Sequence, residues 1–160
     1  MDVEILQYIR LMAEDQGDSA LLEDYEIENL AKNRRARIYF KSLETDDYFT
    51  WTYPGGFIEL TSLSTSYEGT AIDAGDYTAD SIAGLYTFDA EQSWICLNGW
   101  QYDVNDIIAH CWLAKGAILR GSTKSYSLGD ESVDEAPTVQ YCVEMYWKFC
   151  TSEGGRLELL

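Results

Sequence analysis

Asp103–Leu119 reads DVNDIIAHCWLAKGAIL. After Asp103, only Asn105, Asp106, His110 and Lys115 in it are plainly polar. A helix on the surface of a globule needs a single apolar stripe. Here Val104, Ile107, Ile108, Cys111, Leu113 and Ile118 more than fill one face, and Trp112 and Leu119 are left over. With Asp103 as its N-cap, the spacing predicts a helix over 104–120. It is either the central helix of a compact domain or a helix whose second face meets another subunit. Gly116, a helix-weakening residue, lets a neighbour approach closely.

On the N-terminal side, Val3, Ile5, Leu6, Ile9 and Met12 recur at helical spacing and predict a helix over 2–14. Gln16-Gly17-Asp18 breaks it. Asp18 or Ser19 is placed to cap a second helix, expected over 18–42. Leu22, Tyr25, Leu30 and Ile38 give that helix an apolar stripe. Lys32, Arg34, Arg35, Arg37 and Lys41 fall toward its C-terminal end, where the helix dipole favours cations. The period then changes to two. Tyr48, Thr50 and Thr52 alternate with Phe49, Trp51 and Tyr53, and Pro54-Gly55-Gly56 suits a type II turn. Short strands over 57–63, 76–80, 84–88 and 93–97 complete a small antiparallel insertion over 48–98, with a tip of small polar residues over 64–83. A fourth helix is expected over 137–152, with Val139, Cys142, Val143, Tyr146, Trp147 and Cys150 as its apolar face. The predicted fold is α+β and mainly helical: a four-helix bundle-like domain over 1–152, a β insertion between helices 2 and 3, and a tail over 153–160.

The chain has 160 residues, 28 Asp+Glu against 11 Lys+Arg, and a formal charge of -17. That is one ordinary domain with enough apolar residues, 46%, to build a core. Clustered cations are what phosphate binding needs, and a chain this acidic is not expected to wrap nucleic acid. The charge is uneven. Residues 1–31 carry -8, residues 32–41 carry +5 with no acid, and residues 42–114 carry -12 with no Lys or Arg. No apolar run is long enough to span a bilayer. Met1–Glu4 has no basic leader pattern, so the chain is expected to stay in the cytoplasm where it is made.

Catalytic chemistry is sparse. His110 is the one histidine, with Asp106 one turn earlier, a pairing that can orient a general base. No nucleophile motif stands beside it, and Cys111 points about 100° away on a helix. A structural histidine is the favoured reading. Cys96, Cys111, Cys142 and Cys150 show no paired spacing and are read as reduced thiols, not as a bridge or a zinc site. The acid groups Asp73/Asp76/Asp80 and Asp130–Glu135 lack a calcium-loop spacing and are read as solvated charge. No phosphate-binding glycine loop is present. The chain is expected to be no enzyme and to need no cofactor or metal.

Tyr102-Asp103-Val104-Asn105, opening the helix that runs on through Trp112 and Lys115, resembles the corresponding helix of the head–tail connector (adaptor or head-completion) proteins of tailed bacteriophages. Two helices upstream, a β insertion with Gly75-Asp76-Tyr77, a polar loop and a closing helix are similar in order, over most of 18–152. Ile107, Ile108, His110 and Cys111 are bulkier than the alanines usual in that helix. The resemblance implies a structural virion protein of the phage neck. It would form a homo-oligomeric ring of about twelve copies, bind the portal protein above and a neck stopper or tail-completion protein below, and let genomic DNA pass without specific binding. Arg34, Arg35, Arg37, Ile108 and Trp112 are candidate contacts between copies. Glu68, Asp73, Asp76 and Asp80 are candidate channel-lining acids, since a negative wall repels phosphate. Arg156, Leu157, Leu159 and Leu160 are candidate portal contacts. The alternative reading is an acidic DNA-mimicking inhibitor of a host DNA-binding protein.

Overall fold

The computed structural model describes residues 1–17, 20–65, 71–122 and 139–150. Helix α1, Val3–Met12, starts where the Asp2 carboxylate accepts from the Glu4 N–H at 2.8 Å, and it buries Ile5 and Ile9. Helix α2, Asp24–Lys32, is opened by a capping box: Glu23 and Glu26 each take the other's backbone N–H, and Ile27 and Ala31 face the core. Asp18 and Ser19, the expected caps, lie outside the described residues.

The helix expected to run to residue 42 ends at Lys32, and Arg35–Ser42 is strand β1. Leu30 and Ile38 are eight apart, a distance that fits two helical turns but also a change of element between them. Ala and Arg are among the better helix formers, but propensity is a small effect and long-range pairing overrides it. Strand β7, Cys96–Tyr102, supplies the pairing, with Arg35 opposite Tyr102 and Ile38 opposite Gly99.

The other strands are β2, Glu44–Thr45; β3, Thr50–Thr52; β4, Ile58–Ser64; β5, Tyr77–Asp80; and β6, Leu85–Phe88. They form two antiparallel sheets, one ordered β1-β7-β4 and the other β2-β3-β6-β5. Gly55, at φ +101°, occupies the third position of the turn that Pro54 opens, where only a residue tolerant of positive φ fits. Trp51, Tyr86 and Phe88 from one sheet meet Ile38, Ile58, Leu63 and Leu97 from the other in a closed apolar core.

A second core lies among the helices. Helix α3, Val104–Ser122, is its centre, with Asp103 accepting from the Asp106 N–H at 3.1 Å as N-cap. Val104, Ile107, Ile108, Cys111 and Trp112 pack against Ile5 and Ile9 of α1, Ile27 of α2, and Cys142 and Phe149 of α4, Val139–Cys150. Gly116 admits α4: a Cβ there would stand 3.1 Å from Cys142 Cβ. The mainly helical, bundle-like expectation is therefore corrected. The chain is α+β, and among the described residues there are two antiparallel sheets, whose strands lie between residues 35 and 102. The expected apolar face of α4 is corrected as well: Cys142 and Phe149 turn inward, whereas Val143, Trp147 and Cys150 are exposed.

Candidate functional site

His110 sits where α3, α2 and α4 converge. Its Nδ1 accepts from Arg34 Nε at 3.2 Å and lies 3.3 Å from the Asp106 carboxylate. Arg34 Nε also meets Asp106 at 2.6 Å, and Arg34 Nη1 donates to the Leu30 carbonyl at 3.0 Å. The Tyr146 ring stands edge-on to the imidazole at 5.7 Å. The Asp106 backbone carbonyl lies nearer still, 2.8 Å from Nδ1, so this nitrogen is enclosed by the guanidinium and its own helix, and the carboxylate that could orient a base is engaged by Arg34. This is a clasp between the end of α2 and the start of α3. The neighbouring thiol supplies no nucleophile: burial, with the charge of Asp15 adding to it, pushes Cys111 up to about 12, so it stays protonated at neutral pH. Among the described residues no group of three or more His, Cys, Asp or Glu side chains is placed to hold a metal ion. No helix among them is long and apolar enough to cross a membrane.

A second polar network went unread in the sequence. Lys115, buried on α3, donates to the Ala13 and Glu14 carbonyls at 2.8 and 3.0 Å and lies over the Trp112 ring at 4.3 Å. It caps the C-terminal end of α1. Beside it the buried Asp15 takes the Leu21 and Leu22 N–H groups and the Arg10 guanidinium, which also reaches Asp24 at 2.6 Å. The signal was there: a lone cation inside an apolar helix needs buried oxygen partners.

The contacts expected between copies divide. Ile108 and Trp112 are fully buried within the chain, so this part of the expectation is corrected: α3 spends these two side chains on its own domain, and the large apolar residues it leaves exposed are Leu113 and Ile118. Arg34 is held in the clasp. Arg35 and Arg37 do not end a helix; they stand on β1 and flank Trp100, with guanidinium carbons 4.0 and 4.8 Å from the ring centroid. Arg35 reaches across to Glu59 at 3.7 Å, and Glu59 also accepts from the Tyr102 hydroxyl. Burial, with that hydrogen bond, pushes the Tyr102 phenol up to about 12. Farther along the same strand, Tyr39 and Lys41 are exposed.

Of the expected channel acids, Asp73, Asp76 and Asp80 are exposed on a 3-10 turn and on β5, an edge strand. Asp73 takes the Gly75 N–H, and Asp80 takes those of Ile82 and Ala83, so two of the three also fix turns. Glu68 lies outside the described residues. So do Arg156, Leu157, Leu159 and Leu160, the expected portal contacts.

One further surface stands out at the β2–β3 hairpin. The Asp47 carboxylate accepts from the Phe49 and Thr50 N–H groups at 2.9 and 2.6 Å, and Thr50 and then Phe49 hold its pKa below the usual carboxylate value. The Tyr48 carbonyl takes Trp51 Nε1 at 3.3 Å and the Gln92 N–H at 2.9 Å. Tyr48 is thereby fixed at φ +62°, a left-handed conformation costly for an aromatic residue, with its side chain 56% exposed beside that of Phe49. Comparison with protein-family models, curated proteins and solved structures finds no match to this chain.

Proposed function

We propose that the chain is a structural subunit of the neck of a tailed bacteriophage, assembling as a ring that binds the portal and continues the DNA channel toward the tail. The observation that carries this reading is the element Tyr102–Asn105 and the helix it opens. Tyr102 ends the central strand of one sheet, Asp103 caps α3, and α3 then organises the helical core. The same residues carry the sequence resemblance to connector proteins.

The surface supports a role in assembly more than one in catalysis. Large apolar side chains stand exposed on the β2–β3 hairpin, on β1 and on α4, whereas the histidine is tied into an ion-paired clasp. Scattered exposed apolar residues are ordinary, but aromatic residues grouped with arginine, as Arg35 and Arg37 are with Trp100, are enriched in contact surfaces. The exposed acids Asp73, Asp76 and Asp80 suit a wall that DNA slides past. The alternative, a DNA-mimicking inhibitor, draws on the same acids and on the net charge of -17.

Mass-resolved gel filtration of the protein with its cognate portal ring tests the proposal. A stoichiometric complex of about twelve copies per portal is expected. A chain that never co-elutes with the portal, and is instead captured by a host DNA-binding protein, sinks the connector reading in favour of the mimic.

A further inference from the structure

Two surfaces of the chain are complementary to each other. The first is the β2–β3 hairpin tip, where Tyr48 and Phe49 project. Glu44 and Asp46 on the hairpin, and Asp89 and Glu91 on the segment bonded to its tip, are all exposed. Residues 88–92 are drawn to the tip by the Phe88 N–H on the Phe49 carbonyl at 3.0 Å and the Gln92 N–H on the Tyr48 carbonyl. The second is the β1 surface: Arg37 over the half-buried Trp100, Tyr39 at 73% exposure, and the exposed Lys41. Residues 32–41 hold five of the chain's 11 cations and no acid. One surface is aromatic with an acidic rim, and the other is aromatic with basic side chains.

We infer that the Tyr48–Phe49 tip of one copy docks on the Arg37–Trp100–Tyr39 surface of the next. Four observations favour a second copy as the occupant. Both halves of the contact are present on this chain, and they are different surfaces. A contact between unlike surfaces leaves each copy with one unused tip and one unused patch, so it repeats head to tail and closes into a ring or runs on as a filament. The tip is pre-ordered: its backbone is already bonded and its strained residue already in place, so little entropy is lost on docking. Charge complementarity fixes the register, and the aromatic side chains supply the buried area. The net charge of -17 on each copy opposes association at long range. Salt at physiological strength screens that repulsion beyond about 8 Å, within which the opposite charges of the two patches meet. The contact rests on the proposed role as a repeating subunit, but it requires no portal.

Two variants isolate the halves. Tyr48→Gly removes an anchor at a backbone conformation glycine prefers, so the fold is not at risk there. Arg37→Glu with Lys41→Glu reverses two exposed charges and leaves the Arg35–Glu59 pair in place. Circular dichroism and melting establish that both variants fold. Sedimentation velocity up to millimolar protein at moderate ionic strength is the readout. The wild-type chain is expected to gain mass with concentration, and each variant to associate at least about tenfold more weakly. An equimolar mixture of the two variants is expected to form a discrete 1:1 dimer, because one retains the tip and the other the patch.

A wild-type chain that stays monomeric overturns the contact. So do variants that associate like the wild type, or a mixture that forms no dimer. If the wild type binds the portal ring while any of these three results is obtained, the connector reading survives and this contact alone is discarded. If the 1:1 dimer forms but no portal complex does, the contact stands and the neck assignment falls.

Discussion

Lys115 is a cation placed where cations are rarely found, and its position explains how α1 ends. The last carbonyls of a helix have no partner within the helix, and those of Ala13 and Glu14 are turned toward the Lys115 ammonium instead of toward water. Asp15, buried alongside, balances part of that charge through a 3.8 Å approach. Replacement by an apolar side chain of similar length leaves two buried carbonyls and part of a carboxylate unpaired. Lys115→Met is therefore expected to cost about 3 kcal/mol in urea denaturation, although it removes a charge from a core. A loss below a few tenths of that would show that water reaches the site. Cysteine reactivity separates inside from outside by the same logic. Cys150 is exposed, whereas Cys96, Cys111 and Cys142 are buried with thiols pushed upward by burial. A thiol reagent at mildly alkaline pH should modify Cys150 in the native chain and reach those three only on unfolding. Mass spectrometry of the labelled peptides gives the answer directly.

At the scale of elements, α1, α3, α4 and most of the short strands were legible because their signals are local: a capping aspartate, an apolar repeat, a Pro-Gly turn. Strand β1 was not. Its residues Arg35, Ala36 and Arg37 carry no strand preference, and Ile38 falls at a spacing that also continues a helix. What makes the segment extended is β7, about sixty residues away, which no local pattern announces. The same error placed the basic residues at a helix end, although two of them flank Trp100 on a sheet. Ile108 and Trp112 were read as contacts between copies because the number of elements packing around α3 cannot be counted from α3 itself. Gly116 is the counter-example, since its small size correctly pointed to a close neighbour, which is α4. Gly116→Val should overpack the α3–α4 contact against Cys142 and lower stability by about 1–3 kcal/mol, read as a fall in melting temperature. An unchanged melt would mean that the two helices slide apart freely.

The whole molecule combines strong acidity with several weak acids held protonated. Cys111 and Tyr102 are both pushed up to about 12, from ordinary values of 9.0 and 10.0. Folding therefore favours their neutral forms. Their contribution to stability is complete below about pH 9 and is lost as the pH rises through that value toward 12, where the unfolded chain ionises more readily than the folded one. Repulsion among the 28 carboxylates is already fully developed at neutral pH and adds nothing new in that window. The midpoint of urea unfolding should hold steady from pH 7 to about 9 and fall steeply above it. A midpoint that is flat to pH 11 would mean that these groups ionise in the folded chain at their ordinary values.

The position of β7 also bears on the order in which the protein comes into being. β7 is the middle strand of its sheet, flanked by β1 and β4, and both partners precede it in the chain. Synthesis from the N-terminus makes the two outer strands first and leaves each without a partner until residues 96–102 emerge. The loop that must then close spans most of the β region, and contacts of that range slow folding. α3 follows directly from the same strand, so the helical core also waits on it. A nascent chain arrested before β7 should remain protease-sensitive at β1 and β4, and one arrested after α3 has cleared the ribosome should gain protection at both together. The late strand thus acts as a checkpoint in time for the sheet it centres and for the helical core that follows it.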